Sequence, residues 1–184
     1  MGEEITCCFT GHRPHRLPWH EDELDPRCQR FRIELDRQVA MAYDRGYRHF
    51  ISGMAQGGDL MFCEAVLKLR EAHPDVVLEA AVPYPGQADR WKAAQQERYR
   101  RLLAQCDLET MVQQSYTSGC MLRRNYYMVE RSGLLIALYD GTPGGGTCNT
   151  LLYAIRRALD VIQLDPAQFC PFDGTGFGLS RFCF

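Results

Sequence analysis

Short, uninterrupted apolar runs alternate with amphipathic helical stretches along this chain, and that alternation limits its fold more than any other feature. Residues 5–10 form a compact apolar run closed by Gly11. Residues 47–52, 76–82 and 134–139 repeat the pattern, with weaker runs at 108–112 and 161–164. Between them, apolar residues recur at helical spacing. Phe31, Leu35, Val39, Ala42 and Tyr43 mark one helix over 26–43, closed by Gly46. Leu60, Cys63 and Leu67 mark a second, capped by Asp59 and running to residue 72. Leu151, Ile155, Ala158 and Leu159 form the inward face of another over 147–159, and further helices are predicted over 87–106 and 121–131. Runs that are apolar throughout belong to strands buried on both faces, and strand–helix–strand order makes such strands parallel. The prediction is an α/β, Rossmann-like three-layer sandwich with a mainly parallel central sheet.

The 184 residues suit one domain, here 1–165, followed by a tail over 166–184 rich in glycine and phenylalanine. Phe169, Phe172, Phe177, Phe182 and Phe184 in that tail point to self-association as a homo-oligomer. No apolar run reaches the roughly 18 residues that a membrane span needs. The first residues have neither the basic nor the apolar region of a signal peptide, and the nine cysteines are scattered without a Cys-x-x-Cys pair. The expectation is a cytoplasmic protein with reduced thiols, no membrane association and no zinc site. A net charge of −2 argues against a nucleic-acid partner. Arg98, Tyr99, Arg100 and Arg101 form a basic-aromatic cluster, but Glu97, Asp107 and Glu109 interrupt it, as on a solvated helix face.

In parallel sheets ligands bind beyond the carboxyl ends of the strands, and three loops fall there. The first, Thr10-Gly11-His12-Arg13-Pro14, offers Arg13 for bidentate phosphate binding and His12 for a hydrogen bond or proton transfer. His12, His15 and His20 stand near Glu21, Asp22 and Glu23, which read as a solvated run rather than a metal site. The second loop is Ser52-Gly53-Met54-Ala55-Gln56-Gly57-Gly58-Asp59. Its glycines permit a tight turn, and the helix start after it favours an anion. The third, Thr142-Pro143-Gly144-Gly145-Gly146-Thr147, places three glycines before a helix that Thr147 is expected to cap. No Walker A lysine follows, and no Gly-x-Gly-x-x-Gly fingerprint occurs at the first strand.

Taken in order, these loops resemble the SLOG superfamily, most closely its YpsA-like branch. Ser52-Gly53-Met54-Ala55 with Gly57 and Asp59 is similar to a loop shared with DprA-type proteins. Arg124-Asn125, Met128-Val129-Glu130, Leu135-Ile136-Ala137, Tyr139-Asp140 and Gly145-Gly146-Thr147 resemble the branch's closing signature. The resemblance covers residues 5–165 and implies binding of a nucleotide-derived small molecule, AMP-, ADP-ribose- or NAD-like, by a sensor or regulator. It implies ligand contacts from Gly11, His12, Arg13, Ser52, Gly53, Met54, Gly57, Asp59, Arg124, Asn125, Gly144, Gly145, Gly146 and Thr147. No cofactor beyond that ligand is implied.

Two related activities stand as alternatives. LOG phosphoribohydrolases, which cleave the base–ribose bond of modified AMP, carry Arg-Lys and a loop ending Gly-Thr-x-x-Glu. Here Asn125 replaces the lysine and Thr150 the glutamate, leaving Asp59 and Asp140 as catalytic candidates at the ligand edge. Glu64 and Glu130 read as solvated or ion-paired. DprA-like binding of single-stranded DNA is the weaker alternative.

Overall fold

The computed structural model describes residues 5–169. Its first strand, β1 (Thr6–Gly11), is followed by α1 (Pro26–Asp44), β2 (His49–Ser52), α2 (Gly58–Ala72) and β3 (Val77–Val82). Next come α3 (Ala93–Leu103), β4 (Leu108–Met111), α4 (Cys120–Glu130), β5 (Leu134–Leu138), α5 (Gly145–Arg156) and β6 (Asp160–Leu164). All five strand pairings are parallel, in the order β4-β3-β2-β1-β5-β6. Helices α1 to α3 cover one face around Phe9, Phe31, Phe50 and Phe62. Helices α4 and α5 cover the other around Ile51, Met128, Leu135 and Leu151. The architecture is therefore the Rossmann-like sandwich that the apolar runs predict.

From β1 the chain builds outward to β4, then returns to lay β5 on β1's other side. That reversal opens a crevice beyond the carboxyl ends of β1 and β5. The exits of β1, β2 and β5 all lie along this edge.

Four local expectations need correction. The helix predicted from residue 87 starts at Ala93, because Pro83, Pro85 and Gly86 (φ +82°) keep residues 83–92 in turns. Asp59 does not cap α2: Gly57 does, in a left-handed conformation (φ +89°), and Asp59 lies in the first turn. Likewise α5 starts two residues before Thr147, capped by Gly144, and it ends at Arg156 instead of 159, with Ala158 left-handed. Ile155 points outward, leaving Leu151 and Ala154 to face the sheet. A 3-10 turn, Pro166–Phe169, packs back on α1, where Phe169 meets Phe31 edge-on. Phe172, Phe177, Phe182 and Phe184 lie outside the described residues.

Candidate functional site

Beyond β1, the chain turns at His12, which is buried at the switch point. Its backbone N–H donates to the Leu138 carbonyl, and its Nε2 lies 2.7 Å from Asp140 Oδ1. Partial burial works against ionisation of Asp140, but the Thr142 N–H and His12 outweigh it and hold the pKa at about 2. Asp140 is therefore an anion at neutral pH, with 29% of its side chain accessible. The pair ties the first loop to the third. Gly57 ties the first to the second: a Cβ there would stand 3.1 Å from Pro14 Cδ and 3.3 Å from the His12 carbonyl.

The second loop is held in a strained form. Met54 is fully buried with φ +56°, a conformation that side-chain-bearing residues rarely adopt. Its N–H donates to Ser52 Oγ, which itself donates to the Asp59 carbonyl. From across the crevice, Gln87 Nε2 donates to the Met54 carbonyl at 2.7 Å. Behind the loop lie Asp59 and Arg124, both buried, with Arg124 Nη1 3.9 Å from Asp59 Oδ2. Burial raises the Asp59 pKa against the opposing pull of Arg124, Arg13 and the Ala55 N–H. Burial likewise brings Arg124 down to about 10 despite Asp59. A Cβ at position 53 would overlap the Arg124 guanidinium, so a larger residue there displaces that side chain.

Arg124 thus faces inward, not toward the open edge. Its Nη1 donates to the Gly53 carbonyl, and its Nε donates to Asn125 Oδ1 at 2.8 Å. Asn125 Nδ2 donates to Thr150 Oγ1 at 2.7 Å, and that hydroxyl donates to the Gly146 carbonyl at 2.7 Å. These bonds join the two glycine loops through α4. Gly144 and Gly145 both take positive φ (+85° and +81°) in the turn that opens α5, while Thr147 is buried in its first turn. Arg16, which no sequence motif marks, reaches to 3.0 Å from the position a Cβ would occupy on Gly145.

Beside the second loop is a cleft of about 330 Å³, lined by Arg13, Gln56, Gln87, Trp91 and Met121 among others. Gln87 and Trp91 lie beyond β3, a position that the strand-exit rule could have flagged even without a glycine motif. The other sequence candidates fall elsewhere. Glu64 is paired with Arg32 and Arg98 on the α1–α3 face, and Glu130 accepts from Tyr153. In the basic-aromatic cluster, Arg98 is held by Glu23 and Glu64, Arg100 by Glu97, and Tyr99 is buried.

The family described as the YspA SLOG family matches residues 7–160. The SPbeta prophage-derived protein YoqJ of Bacillus subtilis (strain 168) is 32% identical over 122 residues, covering 60% of this chain and 71% of its own. The UPF0398 protein YpsA of the same strain is 26% identical over 151 residues, covering 81% and 83%. Among solved structures, DNA processing protein A (DprA) from Streptococcus pneumoniae shares the fold with a TM-score of 0.54 at 13% identity. That match covers 86% of this chain but only 49% of the DprA chain. Among the described residues no helix is long and apolar enough to cross a membrane.

Proposed function

We propose that this chain, which belongs to the YspA SLOG family, binds a nucleotide or nucleotide-derived small molecule of AMP, ADP-ribose or NAD type. The ligand sits at the carboxyl edge between β1, β2 and β5, and the protein works as a cytoplasmic sensor or regulator. One observation carries this reading. Two glycine loops, each opening onto a helix N-terminus, are braced against each other by Arg124, Asn125 and Thr150. Helix N-termini of this kind attract phosphate oxygens. Next to the loops, the side chains of Arg13 and Arg16 have no hydrogen-bond or ion-pair partner among the described residues and complement an anion.

Isothermal titration calorimetry with AMP, ADP-ribose, NAD and cyclic nucleotides tests the proposal. At least one should bind, and Arg13→Ala should weaken it by roughly 10- to 100-fold, as expected for a charge-assisted contact, with stability unchanged. No heat from any of these at millimolar concentration removes the reading.

Asp140 favours a second reading, a nucleotide N-glycosidase, because it is an ionised, accessible carboxylate at the switch point. Against it, Thr150 occupies the position expected of a catalytic glutamate, and its hydroxyl is buried between Asn125 and Gly146. Robust base release from AMP, abolished by Asp140→Asn, would put the enzyme reading first. The DprA likeness extends to fold alone, and in the basic-aromatic cluster Arg98 and Arg100 are already paired with carboxylates.

A further inference from the structure

Gln87 is 6% exposed, and its Oε1 is buried with no hydrogen-bond partner among the described residues. The amide cannot be turned round, because its Nε2 faces two carbonyl oxygens, Met54 at 2.7 Å and Gly53 at 3.5 Å, and only the nitrogen donates. Among the described residues, Oε1 is therefore an unsatisfied acceptor on a side chain that lines the cleft. A buried acceptor left in that state is costly, and a ligand N–H would relieve the cost. Two neighbours lining the same cleft suit a flat ring. Trp91 is steadied edge-on by Tyr99 at 5.4 Å, and Met121 offers a soft, adaptable surface. Arg13 lines the mouth and supplies positive charge.

We propose that this cleft is a base subsite: it receives an amino-bearing nucleobase, with Gln87 Oε1 accepting from the exocyclic amine and Trp91 covering the ring. The proposal rests on the nucleotide reading of the three loops and adds the part of the ligand that gives specificity. Gln87 then has two roles, bracing the strained Met54 turn through Nε2 and reading the base through Oε1.

Calorimetry on the full chain separates these roles. AMP, CMP and GMP are each compared with the same nucleotide carrying hydrogen in place of the exocyclic amine, and ribose 5-phosphate reports binding without a base. At least one amino nucleotide should bind about ten-fold tighter than its hydrogen counterpart, the worth of one hydrogen bond to a buried acceptor. In Gln87→Met that ratio should fall to near one. Loss of loop bracing alone would weaken both members of a pair equally and leave the ratio intact, which would overturn the base-reading role. Equal affinities within every pair in the native protein would also overturn it, while leaving the nucleotide site standing. Absence of binding by all ligands, ribose 5-phosphate included, would overturn the nucleotide reading and this inference with it.

Discussion

Two buried carboxylates lie toward opposite ends of the sheet and are treated in opposite ways. Glu79, near the amino end of β3, accepts from Tyr127 at 2.6 Å and Thr110 at 2.7 Å, and pairs with His49 at 2.8 Å. Burial works against its charge, but these partners outweigh it and lower the pKa to about 2. Asp59, at the carboxyl edge, accepts only the Ala55 N–H at 3.3 Å among the described residues and faces Arg124 from 3.9 Å, so burial prevails and its pKa rises. The same edge holds the left-handed Met54 and the unpartnered Gln87 oxygen. The Glu79 carboxylate is saturated with partners. The carboxyl edge keeps capacity in reserve, as the proposed binding site requires.

The severest test of this contrast is Arg124→Ala. It removes the Arg124 hydrogen bonds from the Gly53 carbonyl and the Asn125 amide and takes the nearest countercharge from the buried Asp59. The loss should be about 3–5 kcal/mol, measured by urea denaturation. A loss below about 1 kcal/mol would mean that Asp59 is already neutral beside Arg124, and the ion pair would drop out of the comparison.

Acid unfolding separates the two carboxylates by sign. The Glu79 pKa is about 2 when folded against 4.5 ordinarily. Its contribution is therefore complete above about 4.5 and is lost as pH falls through about 2. With partial solvent screening allowed for, that contribution is about 2 kcal/mol. Asp59, with its pKa raised, acts the other way: its contribution is full at low pH and fades as pH rises through the folded value. Glu79→Gln should flatten the stability profile between pH 4.5 and 2. An unchanged slope would show that Glu79 is not the saturated group described above.

The smallest expected effect comes from paired hydroxyl deletions. Thr150→Val removes a buried hydroxyl and Thr110→Val a half-buried one at nearly constant shape, each for about 1 kcal/mol of stability. Only Thr150→Val, which breaks the brace between the glycine loops, should also weaken nucleotide binding. Equal binding by both variants would show that the brace does not shape the site.

Much of the fold is legible in the order of residues. Runs such as Leu134–Leu138 are apolar at every position, which only a strand covered on both faces requires. The three loops are legible for the same reason, since strand order places their exits on one edge. Helix starts are not: whether Gly57 or Asp59 caps α2 depends on the room left by Pro14 and the His12 carbonyl. The family resemblance makes Arg124 a ligand contact, yet the folded chain buries it beside Asp59 behind the second loop. Gln87 carries no motif at all; its orientation comes from the Met54 carbonyl, 33 positions away.

Hydrophobic periodicity and connection order are properties of the linear chain, and they suffice for the parallel sheet and for the loops that meet at its carboxyl edge. The pairings across those loops come from packing in three dimensions: His12 with Asp140 over 128 positions, Arg124 with Gly53 over 71, Asn125 with Thr150 over 25. A hydrogen bond is set by tenths of an ångström and by direction, and neither is encoded in spacing along the chain.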